Sequence, residues 1–317
     1  MSTLPSVLTD AAGCDVRVAS RIRDLHDHAR LFSDWNLHYD QISCGRFEGS
    51  ICEARLDGIQ IVQEQLSQSV FQTGPARPGT INLGVFRTLS GEARWSGKLL
   101  TLDHVTCLGQ ASELLLRTPQ TSHLLMISLP CSMLGLDQYH CPPATVENRA
   151  LAEGLRQRIE STLLAMMHHP LVFLSSAARR QFCSDATDLV AAYLRVSSPD
   201  RERMAFSKAR RVVSCTRELL EASGEQILTV DDLCKKTYTS RRTLQNCFEQ
   251  VTGISPAAFL KIIRLNNVRN DLSRAGGQVR VSDVATRWGF WHLSQFAVDY
   301  KRLFGEQPRQ TIRASRL

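Results

Sequence analysis

The sequence predicts an α+β protein. A β-barrel or sandwich-like N-terminal part with helices precedes an all-α part in which two similar helical units are joined by a linking helix. Three observations predict it. Short apolar runs alternate with turn dipeptides from about residue 45 to 130. From about 147 the apolar spacing becomes helical. The last third then repeats one plan at an interval of 51 to 52 residues.

The opening MSTLPSVLTDAAGCDVR lacks the basic cap and apolar core of a secretory signal, and no stretch reaches the roughly 20 apolar residues of a membrane span. The nearest, Leu163 to Leu174, is broken by His168, His169 and Pro170. A cytoplasmic protein with no membrane contact is expected. The ten cysteines are scattered without a CxxC pair, which favours reduced thiols over disulfides or a structural zinc site.

SICEARL, IQIVQEQL, TINLGVF, ARWSGKLL, HVTCLG and HLLMISL are the expected strands. Glu53, Arg55, Gln60, Glu64, Arg94, Trp95 and His104 lie on them and face either solvent or a pocket, because the pattern leaves the register open. A cupin-type metal enzyme would need a clustered His-x-His with a carboxylate. The strand region offers His104 and His123, well separated, so no catalytic residue, metal or cofactor is expected. Helices follow at about 147–196: Leu151, Leu155, Ile159, Leu163 and Met166 form one stripe, and Leu189, Tyr193 and Leu194 belong to a second helix. These stripes serve a coiled interface between two copies or pack on the sheet. SSPDRER, 197 to 203, has no apolar period and marks the joint between a sensing and dimerisation domain (1–200) and a basic helical domain (204–317).

Charge separates the halves. From residue 201 onward there are 21 Lys plus Arg against 11 Asp plus Glu, a net of +10, whereas the first 200 residues carry −3. A polyanion partner is expected for the second half.

VDDLCKKTYTSRRTLQNCFEQVTGISP (230–256) and VSDVATRWGFWHLSQFAVDYKRLFGEQP (281–308) share an acid at the start, a short helix, a turn, a second helix, then Gly and Pro. Each predicts a helix-turn-helix, about 229–253 and 281–305. Thr229 and Ser240 are the expected N-caps of the first unit. Leu244, Phe248 and Val251 form its buried stripe, answered by Phe296, Tyr300 and Phe304 in the second. Gly289 supplies a left-handed turn. Trp288 and Phe290 wedge that turn into the core, and Trp291 either extends the wedge or lies on a nucleic-acid backbone. Opposite the stripes stand Arg241, Arg242, Gln245 and Asn246 in the first unit and His292, Ser294, Gln295, Lys301 and Arg302 in the second. Such side chains suit the major groove: Arg pairs with guanine, Asn and Gln with adenine, each good pair giving about 1–3 kcal/mol of discrimination. Between the units, SPAAFLKIIRLNNVRNDL predicts one continuous helix from Pro256 that spaces the two readers along DNA.

On these residues, from about 208 to 312, the sequence resembles the AraC/XylS family of transcription regulators. The resemblance places Arg241, Arg242, Gln245 and Asn246 on a first recognition helix and Leu293, Ser294, Ala297 and Val298 on a second. Asn246 and Val298 stand where that family often has Arg. The GFWHLSQFAVDY stretch, with a local match over 39–65, is most similar to the branch containing the ethanolamine-utilisation operon regulator. The resemblance implies a regulator, more an activator than a repressor, that binds double-stranded promoter DNA, works with RNA polymerase, senses a small molecule (an amine or a cobalamin, if that branch is right) and forms a homodimer. The rival expectation is constitutive or protein-controlled DNA binding, with an N-terminal half that only dimerises.

Overall fold

The computed structural model describes residues 6–11, 14–110, 112–136, 143–197, 203–224, 226–275 and 279–314. In chain order the first part runs β1 (Ser6–Ala11), β2 (Cys14–Ile22), α1 (Leu25–Arg30), β3 (His38–Gln41), β4 (Gly49–Leu56), β5 (Ile59–Leu66), β6 (Val70–Pro75), β7 (Thr80–Ser90), β8 (Ala93–Trp95), β9 (Lys98–Leu100), β10 (His104–Leu108), β11 (Glu113–Arg117), β12 (Thr121–Pro130) and β13 (Ala144–Glu147). Two long helices follow, α2 (Arg149–His168) and α3 (Ser176–Val196). The remainder is helical: α4 (Arg203–Ser223), α5 (Val230–Lys236), α6 (Arg241–Thr252), α7 (Pro256–Arg274), α8 (Val281–Arg287), α9 (Leu293–Phe304) and α10 (Pro308–Ala314). Most of the expected joint, residues 198–202, lies outside the described residues.

The strands form two antiparallel sheets, one of eight in the order β1-β2-β4-β5-β12-β7-β10-β13 and one of five in the order β3-β6-β11-β8-β9. The edge strands of one sheet do not pair with those of the other, so among the described residues it is the sandwich form of the expected barrel or sandwich that is built, as two antiparallel sheets. Strands also extend beyond the expected 45–130 window, at β1, β2, β3 and β13. Inside it, β6 and β11 escaped the pattern. VFQTGP ends on a Gly-Pro that looks like a turn, and ELLLR is a continuous apolar triplet without alternation.

The larger sheet buries its outer face under α2 and α3. Leu155, Ile159, Leu163, Met166, Val190 and Tyr193 share one core with Ile61, Leu83, Leu125 and Ile127. The helical stripes are therefore taken up by the sheet. Their side chains remove apolar surface from water at about 25 cal/mol per Å².

In the helical part α7 is the spine. Its first half gives Phe259, Leu260 and Ile263 to a core with Val213, Leu233, Leu244, Phe248 and Val251. Its second half gives Leu265, Val268 and Leu272 to a core with Val284, Phe296, Tyr300 and Phe304. Ser255 caps α7 by accepting from the Ala258 N–H, and Pro256 occupies its first turn, where a missing N–H costs nothing. Among the described residues no helix is long and apolar enough to cross a membrane.

Candidate nucleic-acid interface and cavity

Each unit presents one helix outward. Thr229 and Asp232 close a reciprocal capping box on α5, and Ser240 caps α6 by accepting from the Thr243 N–H at 3.1 Å. α6 ends at Gly253 with φ 70°, and α9 ends at Gly305 with φ 66°, the left-handed stop that glycine makes inexpensive. The two turns match as well. Tyr238 adopts φ 52° where Gly289, 51 positions later, adopts φ 81°. A Cβ at Gly289 would lie 2.6 Å from Ile227 Cδ1, so the second turn needs glycine for space as well as for backbone angle. Tyr238 meets no such crowding and is 96% exposed.

With the cores turned inward, Arg241, Arg242 and Asn246 are exposed on α6 and Gln245 is half-buried. Arg241 is held by a bidentate pair with Asp231 at 2.7 and 2.8 Å, and Gln245 Nε2 donates to Glu249 at 2.5 Å. Arg242 and Asn246 thus sit at the centre of the outward face. On the second unit His292, Ser294, Gln295, Lys301 and Arg302 are all exposed on or just before α9. Trp288 and Phe290 behave as wedges: Trp288 Nε1 donates to Asp271 at 2.8 Å, and Phe290 stacks 5.1 Å from Phe296. Trp291 does not extend the wedge. It is the residue inserted in the second turn, and the insertion swings it outward to 70% exposure. A groove beside α9 joins Lys301 to Arg280, Arg309 and Arg313, three cations that periodicity did not single out because they lie outside α9, at the start of α8 and on α10.

The smaller sheet separates these helices from a cavity. It is apolar, about 50 Å³, and lies between the sheets and the segment after α1. Phe32, Trp35 and Leu37 close one side; Phe86, Leu108, Leu124 and Met126 come from the larger sheet. Its polar atoms belong to Tyr39, Gln72, Asn82, His104 and Thr106, and no Asp, Glu, Lys or Arg lines it. The Trp95 indole N–H is buried without a hydrogen-bond partner among the described residues. Such a donor costs about 1–3 kcal/mol until an acceptor reaches it.

Of the seven strand residues singled out as pocket candidates, Trp95 and His104 line this cavity. Glu64 lies behind it, accepting from Tyr39 Oη and Gln72 Nε2 at 2.9 Å each and lying 2.9 Å from His28 Nε2. Arg55 Nε and Gln60 Nε2 both donate to Glu53, Gln60 Oε1 accepts from Trp35 of the cavity wall, and Arg94 faces the helical part. Among the described residues no group of three His, Cys, Asp or Glu is placed to hold a metal ion.

Two adjacent rows across the smaller sheet face opposite ways. Tyr39, Gln72, Leu116 and Trp95 are cross-strand neighbours, and all four line the cavity. The next row is Asp40, Phe71, Arg117 and Arg94, and all four meet the helical part. Arg217 of α4 donates to Asp40 at 2.8 Å, both side chains buried. Phe71 packs edge-on against Phe259 at 5.6 Å. Arg94 donates to the Gln250 carbonyl at 3.1 Å, and the Arg117 guanidinium fills the space where a Gly253 Cβ would be. The end of α9 is held similarly: the Gly45 N–H and Gln41 Nε2 donate to the Leu303 carbonyl at 2.9 and 2.8 Å, and Arg46 Nε to the Gly305 carbonyl at 3.2 Å. The sheet domain therefore grips both outward helices by their C-terminal carbonyls, where cations complement the dipole.

Residues 233–314 match the family model for a helix-turn-helix domain. The chain is 35% identical over 167 residues to the probable thc operon regulatory protein of Rhodococcus erythropolis, covering 52% of this chain and 48% of that protein. It is 24% identical over 287 residues to the XylDLEGF operon transcriptional activator 3 of Pseudomonas putida, covering 85% of this chain and 83% of that one. The C-terminal part is a helix-turn-helix domain. This chain spans about half the length of the Rhodococcus relative. A crystal structure of the AraC-like transcriptional activator CuxR aligns over 69% of this chain and 80% of its own at 14% identity, with a TM-score of 0.38.

Proposed function

We propose that the chain is a cytoplasmic, sequence-specific DNA-binding transcription regulator, an activator like the operon activators it is similar to, and not an enzyme. The observation that carries this reading is the pair of equivalent outward helices, α6 and α9, set on one 19-residue spine in a basic domain. At 1.5 Å per residue that spine is about 28 Å long, near the 34 Å turn of DNA. Arg242, Gln245 and Asn246 read bases through α6. Lys301, Arg302 and Arg280 meet phosphates. RNA polymerase is the protein partner an activator needs, and a homodimer would double the number of recognition helices on the promoter.

The cavity is the effector site in this reading. A small, uncharged, mostly apolar compound with one oxygen acceptor for Trp95 Nε1 fits its lining. An ammonium would find no carboxylate there, and a cobalamin far exceeds its volume, so the sensing-domain likeness to the ethanolamine branch does not supply the ligand. Effector binding presses on Tyr39, Gln72, Leu116 and Trp95, and the neighbouring row transmits the shift to Arg217, Phe259 and the end of α6.

Two measurements test this. The full chain should bind one sequence enriched from random duplex DNA more tightly than bulk DNA, and equal affinity for both would refute the reading. A compound that raises the melting temperature saturably must bind the folded state, by about 2.7 kcal/mol at a hundredfold excess over Kd. With that compound, Phe71→Leu should retain the thermal shift and lose the effect on DNA affinity. If the effect on DNA persists, the sheet rows are not the route.

A further inference from the structure

The repeat allows the two outward helices to be compared position by position, with an offset of 52 residues. Where α6 has Arg241, Arg242, Gln245 and Asn246, α9 has Leu293, Ser294, Ala297 and Val298. Every guanidinium and amide of the first helix is replaced by a hydrocarbon or a hydroxyl. These residues are not withdrawn into the core. Val298 is 61% exposed and Leu293 43% exposed, and Ala297 and Ser294 are exposed too. The buried stripe of Phe296, Tyr300, Leu303 and Phe304 fixes the opposite face, so Val298 and Ser294 point straight outward.

An apolar outward face needs an apolar occupant, and what flanks it says which one. Lys301 and Arg302 stand on the same helix, and Arg280, Arg309 and Arg313 edge the groove beside it. A ring of cations around a hydrocarbon centre suits a polyanion that carries methyl groups. In the major groove that group is the C5 methyl of thymine, which small apolar side chains contact directly. Arg and Asn, by contrast, address the acceptors and donors of guanine and adenine.

We propose that the two helices read DNA by different chemistry: α6 by hydrogen bonds to purine edges, and α9 by packing Val298, Ala297 and Leu293 against thymine methyls. This rests on the DNA-binding reading given above. It makes the two half-sites unequal, one purine-specific and one thymine-rich, and so gives the chain a polarity on its operator. Val298 is the specificity-determining residue of the second half-site.

The test starts from duplex DNA enriched by the full chain from a random pool. Arg242→Ala identifies the half-site read by α6, because base preference relaxes there. Thymines are then replaced by deoxyuridine in one half-site at a time, which removes the methyl and changes no hydrogen-bonding group. Affinity should fall about fourfold for each contacted methyl in the α9 half-site, the equivalent of about 0.8 kcal/mol per buried carbon. In the α6 half-site it should not change. Val298→Ser should bind the thymine and deoxyuridine sites equally while leaving the α6 half-site's preferences intact. If deoxyuridine has no effect in the α9 half-site, or if Val298→Ser keeps the full discrimination, the methyl reading is overturned while DNA binding stands. Failure to enrich any sequence would overturn the DNA-binding reading and this proposal with it.

Discussion

In the first helix-turn-helix unit the aromatic contacts run outward: Phe248 stacks on Phe259 at 5.1 Å, and Phe259 on Phe71 of the smaller sheet at 5.6 Å. In the second they stay at home, with Phe290, Phe296, Tyr300 and Phe304 linked in series and the Arg269 guanidinium 5.2 Å over the last ring. The caps differ in the opposite sense. α5 carries a full capping box, whereas α8 has Arg280 at its N-cap position with no side-chain hydrogen bond. One unit thus has strong local caps and a core completed by another domain; the other has a weak cap and its own aromatic core. The difference teaches where control can enter. The position of α6 depends on the sheet that lines the cavity, while α9 is joined to the sheet domain mainly through carbonyls at its end.

The largest expected effect tests that dependence. Asp40→Ala removes the buried partner of Arg217 and leaves it the exposed Glu221 carboxylate at 3.4 Å; breaking a buried pair typically costs about 3–5 kcal/mol. Urea unfolding should show a loss of that order, and a loss below about 1 kcal/mol would mean that the first unit does not depend on the sheet domain. The same pair has a pH signature. Burial raises the Asp40 carboxyl, but Arg217 and His38 outweigh it and hold it below the usual range. Its contribution is therefore complete above the unfolded value of about 3.9 and is lost as pH falls through the lower folded value. Acid unfolding of Asp40→Asn should lack that loss.

Arg242→Ala comes next, at about 1–3 kcal/mol of specific affinity, with binding to random DNA little changed. Equal loss on both would make Arg242 a phosphate contact. Smallest are the caps, and they separate the units cleanly. Thr229→Ala should cost about 1 kcal/mol of stability. Arg280→Ala should stay within about 0.5 kcal/mol yet lower the salt slope of DNA binding by about one. A stability loss without a slope change would move Arg280 from the DNA face to the fold.

Much of the helical part was legible in the sequence because its signals are local. Thr229 and Ser240 sit where a cap must be, Leu244, Phe248 and Val251 keep helical spacing, and Gly289 marks its turn. The linking helix starts at Pro256 as the sequence indicated. Trp291 was ambiguous because an insertion of one residue rotates everything around it, and no pattern says which way. The sheet part was less legible. Strands β6 and β11 carry no clean alternation because both of their faces are covered, one by the cavity and one by helices. The rows they form join residues as far apart as Asp40 and Arg217, 177 positions in sequence. One local sign existed: Arg217 falls four residues from the buried Val213 on α4, an arginine on a stripe meant for the core. An arginine there requires a buried partner, though its spacing does not say which.

Hydroxyl-radical footprinting of the full chain on its enriched site tests the central claim most directly, that α6 and α9 together read one stretch of DNA. Two protected patches on one face of the duplex, about one helical turn of 34 Å apart, are expected, with Arg242→Ala weakening one patch and Val298→Ser the other. A single patch that disappears as a whole with either substitution would contradict it.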